Sequence, residues 1–227
     1  SERNECTREN PVKVEVGEGD HVMVGVAAPD IYPGTLMHVS CSNITIVGKG
    51  KGKTTIFGGF YVNGKQNVKI EQLAVTDNEA GDGLLCEGSG TNVDVTECCF
   101  TECFCGMAVG AGATTTATRC DFMENARYGV LCFGANTKVR MNDSTMHHNG
   151  ADGLHAYDHA VVDLRGTKTD IHSNKGGGMF IIENAKLNIH LPSQHNTTHD
   201  NGRDRYQDEG GSIANINADG TFTHVEE

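Results

Sequence analysis

Segments of 23 to 25 residues repeat along the middle of the chain and align with almost no gaps. The repeats begin at Leu84, Met107, Val130, Leu154 and Met179, and the earlier segment FYVNGKQNVKIEQLAVTDNEAGDG fits the same frame. A repeat of this length is typical of solenoids, in which each repeat buries its apolar face against the next one. The chain is therefore expected to stack coils along one axis.

Apolar and polar residues alternate within each repeat, which predicts short strands rather than helices. Aligned repeats place apolar residues in register, and these columns should fill the core. They include Leu84, Met107, Val130, Leu154 and Met179; Val93, Thr115, Val139, Val162 and Leu187; and Val75, Phe100, Phe122, Met146 and Ile171. The pattern predicts an all-β, single-domain right-handed parallel β-helix with irregular caps at both ends.

Two further columns mark the turns between strands. One contains Asn78, Cys103, Asn125, Asn149 and Asn174. Asparagine tolerates left-handed backbone and bonds to neighbouring backbone, so this column predicts an asparagine ladder that Cys103 interrupts. The other contains Gly83, Gly106, Gly129, Gly153 and Gly178, which we interpret as meeting a need for unusual backbone angles.

These repeats, together with NITIVGKGKGKTTIFGG and NVKIEQLAV, resemble the pectin-lyase-like right-handed β-helix superfamily from Val39 to Asn201. The resemblance implies a scaffold shared by carbohydrate-binding proteins and sugar-active enzymes. We expect residues 1–37 to form an N-terminal cap and the strands leading into the helix, residues 38–201 the coils, and residues 202–227 a capping hairpin or tail.

Charge and composition limit the partners. The net charge of −12 opposes binding to phosphate backbones, so nucleic acid is not expected as a partner. No apolar run approaches the roughly 20 residues of a membrane-spanning helix, so no membrane partner is expected either.

Nine cysteines cannot all pair within one chain. Cys98, Cys99, Cys103 and Cys105 lie close together, but their spacing lacks the paired knuckles of a structural zinc site. Buried free thiols are favoured, although whether Cys98 and Cys120 are free or bonded is left open. The thiols weakly favour a reducing intracellular compartment, whereas the sequons at Asn43, Asn142 and Asn196 keep secretion open.

Outward positions on stacked strands form stripes, and one stripe is apolar and aromatic. It contains Leu131, Phe133, His155, Tyr157 and Phe180. Such a stripe indicates a binding surface for a protein, a second copy of the chain or a glycan, unless the chain covers it. The leading hypothesis is a non-catalytic binding or structural module without a cofactor.

The alternative is a small polysaccharide-active enzyme. The segment HHNGADGLHAYDHA suggests Asp152, His155 and Asp158 as catalytic residues, with calcium as an optional ion, although no recognisable metal-ligand spacing is present. By the resemblance, a hydrolase would pair carboxylates such as Asp82 and Asp152. Three coils separate these two by about 14 Å, beyond glycosidase spacing. The motifs that the resemblance would imply for hydrolases, NTD and GHG, and for alginate epimerases, DPHE, are missing. Because of the carboxylate spacing, lyase or epimerase chemistry is favoured over hydrolysis.

Overall fold

The computed structural model describes residues 6–23, 35–190, 197–217 and 219–224. The sequon at Asn196 and residues 24–34 of the expected N-terminal cap lie outside the described residues. Regular structure in the described residues consists of strands, and none of it is a helix long and apolar enough to cross a bilayer.

The strands are two to five residues long, as the alternation predicts. In chain order they are β1 (Val12–Glu15), β2 (Gly19–Val22), β3 (Leu36–His38), β4 (Ile44–Val47), β5 (Thr54–Phe57), β6 (Gly59–Asn63), β7 (Val68–Glu71), β8 (Ala74–Thr76), β9 (Leu84–Glu87), β10 (Asn92–Thr96), β11 (Cys99–Thr101), β12 (Met107–Val109), β13 (Thr114–Thr118), β14 (Asp121–Met123), β15 (Val130–Phe133), β16 (Lys138–Asn142), β17 (Thr145–His147), β18 (Leu154–Tyr157), β19 (Val161–Arg165), β20 (Asp170–His172), β21 (Gly177–Ile181), β22 (Lys186–Ile189), β23 (Thr198–His199), β24 (Arg203–Gln207), β25 (Ser212–Ile216) and β26 (Phe222–His224).

Three sheets run along the stack, and each takes every third strand. Sheet A contains β1, β4, β7, β10, β13, β16, β19, β22, β25 and β26; sheet B contains β2, β5, β8, β11, β14, β17, β20 and β23; sheet C contains β3, β6, β9, β12, β15, β18, β21 and β24. Neighbouring strands are parallel except for the last pair of sheet A. This topology confirms the right-handed parallel β-helix.

The predicted columns are in register and fill the core. Val93, Thr115, Val139, Val162 and Leu187 pair in sequence across sheet A, and all are buried. Phe100 and Phe122 stack in sheet B with ring centroids 5.2 Å apart. Because side chains alternate between the two faces of a strand, the residues between these columns point outward.

An asparagine ladder runs along the turn between sheets B and C. Asn125 donates through Nδ2 to Oδ1 of Asn149 at 3.0 Å, Asn149 to Asn174 at 2.8 Å, and Asn174 to Asn201 at 2.8 Å. Cys103 interrupts the ladder, as predicted. The ladder therefore ties consecutive coils together through buried amides, which is stabilising because every partner is satisfied.

The prediction that the ladder asparagines adopt the left-handed backbone conformation is wrong by one position. The left-handed residues are those just before the ladder positions: Asp77, Glu102, Glu124, His148, Ser173 and Asp200. The glycines that open the sheet C strands do not have positive φ either. A Cβ at Gly129 would lie 2.7 Å from the Gly153 carbonyl oxygen and 2.9 Å from Nδ2 of Asn149. Close packing between coils, rather than an unusual backbone angle, requires glycine there.

Both ends of the chain extend the stack. Strands β1, β2 and β3 pair in parallel with β4, β5 and β6, so they form a first coil. In the segment expected to cap the other end, β24 and β25 also continue their sheets in parallel. β26 pairs antiparallel with β25, so these two strands form a hairpin.

Cys6 and Cys41 form a disulfide, so the expectation of free thiols fails for this pair. The other seven cysteines are free, including Cys98 and Cys120. Cys99 is half-buried and the remaining six are buried, where each acts as a small apolar core residue.

Candidate functional site

The predicted stripe lies on the outer face of sheet C. Leu131 pairs with His155, and His155 pairs with Phe180, while Phe133 and Tyr157 form a second column beside them. The first column continues to Tyr206 on β24, which sequence reasoning missed because that segment was assigned to the cap.

Stacking between coils covers much of the aromatic surface. Ring centroids lie 5.7 Å apart for Phe133 and Tyr157, 4.9 Å for His155 and Phe180, and 4.5 Å for Phe180 and Tyr206. All five predicted binding residues are half-buried rather than fully exposed. The aromatic rings of the stripe therefore pack on one another along the stack. The edges of the rings are exposed to solvent more than their faces.

The earlier part of the same column is buried. Leu85 and Ala108 are 1% and 2% exposed and pack with Leu36, Tyr61 and Leu131 in a small apolar cluster outside the main core. Leu85 and Ala108 lie on the outer face of sheet C, but neighbouring side chains leave almost none of their surface exposed.

Beside this cluster lies a groove of about 580 Å³. Its strand side is lined by Leu85, Ala108, Leu131, Phe133 and Tyr157, and its turn side by Glu79, Ala80, Gly81, Asp82, Phe104 and Cys105. Gly110, just after β12, makes room for the Phe133 ring, because a Cβ there would lie 2.3 Å from the ring. The groove thus combines an apolar strand side with a turn side that carries carboxyl groups.

Asp82 is the unusual polar group of the groove. It is 7% exposed, and its Oδ1 has no hydrogen-bond partner among the described residues. Burial raises the pKa of Asp82 to about 6, although hydrogen bonds from the Cys105 thiol and backbone N–H oppose the rise. The side chain of Asn78 holds this turn by donating to the Asp82 carbonyl oxygen at 2.8 Å.

A second polar arrangement joins Asp152 and His155. Nδ1 of His155 lies 2.7 Å from Oδ2 of Asp152, and the backbone N–H of Gly177 donates to Oδ1 of the same carboxylate. The His155 ring lies between Tyr128 and Phe180, with centroids 4.7 and 4.9 Å away. Because the carboxylate holds Nδ1, Nε2 is the nitrogen left to accept or deliver a proton.

The third predicted catalytic residue lies apart from this pair. Asp158 is exposed in a left-handed turn after β18, whereas Asp152 precedes β18, and the four-residue strand between them spans roughly 13 Å. The structure thus brings together Asp152 and His155 and separates Asp158 from them.

The remaining histidines of the segment are on other faces. His147 lies in sheet B, where its ring stacks on His172 with centroids 5.0 Å apart. Within the described ranges, no group of three or more His, Cys, Asp and Glu side chains is arranged to hold a metal ion.

Residues 41–201 match the family model described as the right handed beta helix region. The chain belongs to the right-handed β-helix family. Two solved structures are similar to it, the A-modules of the mannuronan C-5 epimerases AlgE4 and AlgE6 from Azotobacter vinelandii. The AlgE4 module has 14% identity and a TM-score of 0.37, with 91% of this chain and 87% of that one covered. The AlgE6 module has 14% identity and a TM-score of 0.34, with 91% and 85% covered. No curated protein matches the chain.

Proposed function

We propose that this right-handed β-helix protein is a non-catalytic binding module that holds a glycan in the sheet C groove. The observation that carries the proposal is the combination of an apolar, aromatic strand side with the buried carboxyl of Asp82. Sugar rings have apolar faces that pack against aromatic side chains and hydroxyls that need polar partners. The groove volume also falls in the range of small-ligand sites, roughly 300–1,000 Å³, rather than that of a flat protein interface.

The test is a double variant on the strand side of the groove, Phe133→Ala with Tyr157→Ala. Both rings are half-buried and lie outside the main core, so the variant should stay folded and lose affinity for oligosaccharides. Binding is measured by isothermal titration calorimetry with neutral, amino and uronate oligosaccharides, and folding by circular dichroism.

The matched control is Phe222→Ala, which removes an aromatic ring that is 68% exposed on the terminal hairpin. This variant should bind as the unmodified protein does. Unchanged binding by the double variant would place the ligand elsewhere, and its unfolding would mean that the two rings belong to the structural core.

A second candidate is a polysaccharide-active enzyme, a lyase or epimerase rather than a hydrolase. The Asp152–His155 pair favours it, because a buried carboxylate that fixes one tautomer makes the other imidazole nitrogen available as a base. His155 also lies 5.8 Å, centroid to centroid, from Tyr157 of the groove.

Turnover assays on acidic and neutral polysaccharides, with and without calcium, test this candidate. Activity that His155→Ala abolishes at unchanged stability would support it. An absence of turnover on all substrates in the unmodified protein would count against it.

A further inference from the structure

The charges that line the groove are all of one sign. Among the lining side chains, the carboxyls are Glu79 and Asp82, and none is Lys, Arg or His. Since the chain as a whole carries a net charge of −12, a ligand with its own carboxylate would meet repulsion at long range and from Glu79 and Asp82 in the groove, while the Arg127 guanidinium packs on the Phe104 ring, 5.8 Å from its centroid.

Oδ1 of Asp82 has no hydrogen-bond donor among the described residues. A carboxylate oxygen buried without a partner costs free energy, and the raised pKa of Asp82 reflects that cost. Asp82 lines the groove with 7% of its surface exposed, so an ammonium bound there would offset the charge of the buried carboxylate while Oδ1 itself stays enclosed. An ammonium donor carries the charge opposite to that of ionised Asp82, whereas a hydroxyl offers only a dipole, so the ammonium compensates Asp82 more fully.

We infer that the groove selects a sugar unit that carries a protonated amine, which donates to Asp82 while the sugar ring packs against Phe133 and Tyr157. This inference rests on the proposed glycan-binding function and specifies its ligand class. Amino sugars bind best, their N-acetylated counterparts bind less well, and uronates bind least.

Acid should weaken the contact. The amine remains protonated as the pH falls from about 6.5 to 5, whereas Asp82 takes up a proton and loses its charge. The other titratable groups around Asp82 are Glu79, Glu87, Cys103, Cys105 and, beyond Cys105, Arg127. Among these, Glu79 and Glu87 carry the other carboxyls, so a variant at Asp82 is needed to assign the pH dependence.

The experiment compares glucosamine oligomers, N-acetylglucosamine oligomers of equal length and galacturonate oligomers by titration calorimetry. The positive charge that only the amine form places beside ionised Asp82 predicts about tenfold tighter binding of the amine form than of the acetylated form. Asp82→Asn should remove that preference and the loss of affinity in acid. Asp77→Asn is the matched control, since Asp77 is exposed on the same turn, has left-handed backbone that Asn accepts, and does not line the groove.

The outcomes separate this inference from the proposed function. Equal or tighter binding of the acetylated or galacturonate oligomers would overturn the inference while glycan binding stands, and so would an amine preference that survives in Asp82→Asn. Failure of all three oligomers to bind the unmodified protein would overturn both. The comparison of oligomers on the unmodified protein does not depend on how the variant folds.

Discussion

Replacing Asp82 by Asn should make the protein more stable at neutral pH. Burial raises the pKa of Asp82 from 3.8 to about 6. One pKa unit corresponds to about 1.4 kcal/mol, so the ionised side chain costs about 3 kcal/mol of folding stability at pH 7. Asn has similar shape, keeps an oxygen that can accept from Cys105, and carries no charge.

The sign of the pH dependence follows from the raised pKa. The favourable contribution of protonated Asp82 is fully present below pH 3.8 and is lost as the pH rises through about 6. The stability gain of Asp82→Asn should therefore be about 3 kcal/mol at pH 7 and should shrink to a fraction of a kcal/mol by about pH 4. The difference in unfolding free energy between Asp82→Asn and the unmodified protein isolates the contribution of the Asp82 carboxyl, because all other titrating groups are common to both.

Urea unfolding followed by circular dichroism at both pH values measures the gain, with Asp77→Asn as the control that should change stability little. A gain of equal size at both pH values would refute the assignment to the Asp82 charge. A loss of stability at pH 7 would mean that the native protein satisfies the carboxylate. A stabilising substitution that abolishes amine recognition would mark Asp82 as a residue kept for binding at the expense of stability.

Other substitutions test the packing between coils. Asn149→Ala should cost about 3 kcal/mol in urea unfolding, because the backbone N–H and side chain of Asn125 both lose a buried acceptor; a cost below about 1 kcal/mol would contradict a ladder role. Gly129→Ala should cost at least about 2 kcal/mol in the same assay, since the new Cβ would lie 2.7 Å from the Gly153 carbonyl oxygen; neutral behaviour would show that the coils can separate. Alkylation by iodoacetamide should be slow in the folded protein and reach all seven free thiols after denaturation, because burial raises the pKa of each buried thiol and limits access. The half-buried Cys99 should react first, and rapid labelling of the buried cysteines in the folded state would contradict this.

The sequence predicts the β-helix well because its repeat keeps the same residue class at the same position in every coil. Phe100 and Phe122 are in register for that reason, and the ladder of asparagines is readable even with Cys103 interrupting it. The repeat pattern also identifies the opening glycines. It does not reveal why glycine is required there, because the contact with the carbonyl of the next coil arises from stacking and cannot be read from a single strand.

The groove is harder to predict from the sequence than the β-helix is. Its strand side includes the small residue Ala108, and Gly110 makes room for the Phe133 ring, so neither residue stands out in the sequence as part of an aromatic stripe. Its turn side comes from Asp82 and Phe104, which belong to turns between sheets rather than to the stripe. The pairing of Asp152 with His155 lies within the segment singled out from the sequence, whereas the distance to Asp158 depends on where β18 begins and ends.

The break in the asparagine ladder coincides with the turn side of the groove. Cys103 donates through its backbone N–H to Oδ1 of Asn125, whereas its thiol lies 3.2 Å from the Thr101 carbonyl oxygen. Asn78 donates its side-chain amide to the Asp82 carbonyl oxygen. Asn78 and Cys103 are joined by a backbone bridge, in which the Phe104 N–H donates to the Asn78 carbonyl oxygen, instead of by the amide-to-amide contact found further along the stack. The backbone thus takes over the pairing of coils at this turn, and the Asn78 side chain is left to hold the turn that carries Asp82.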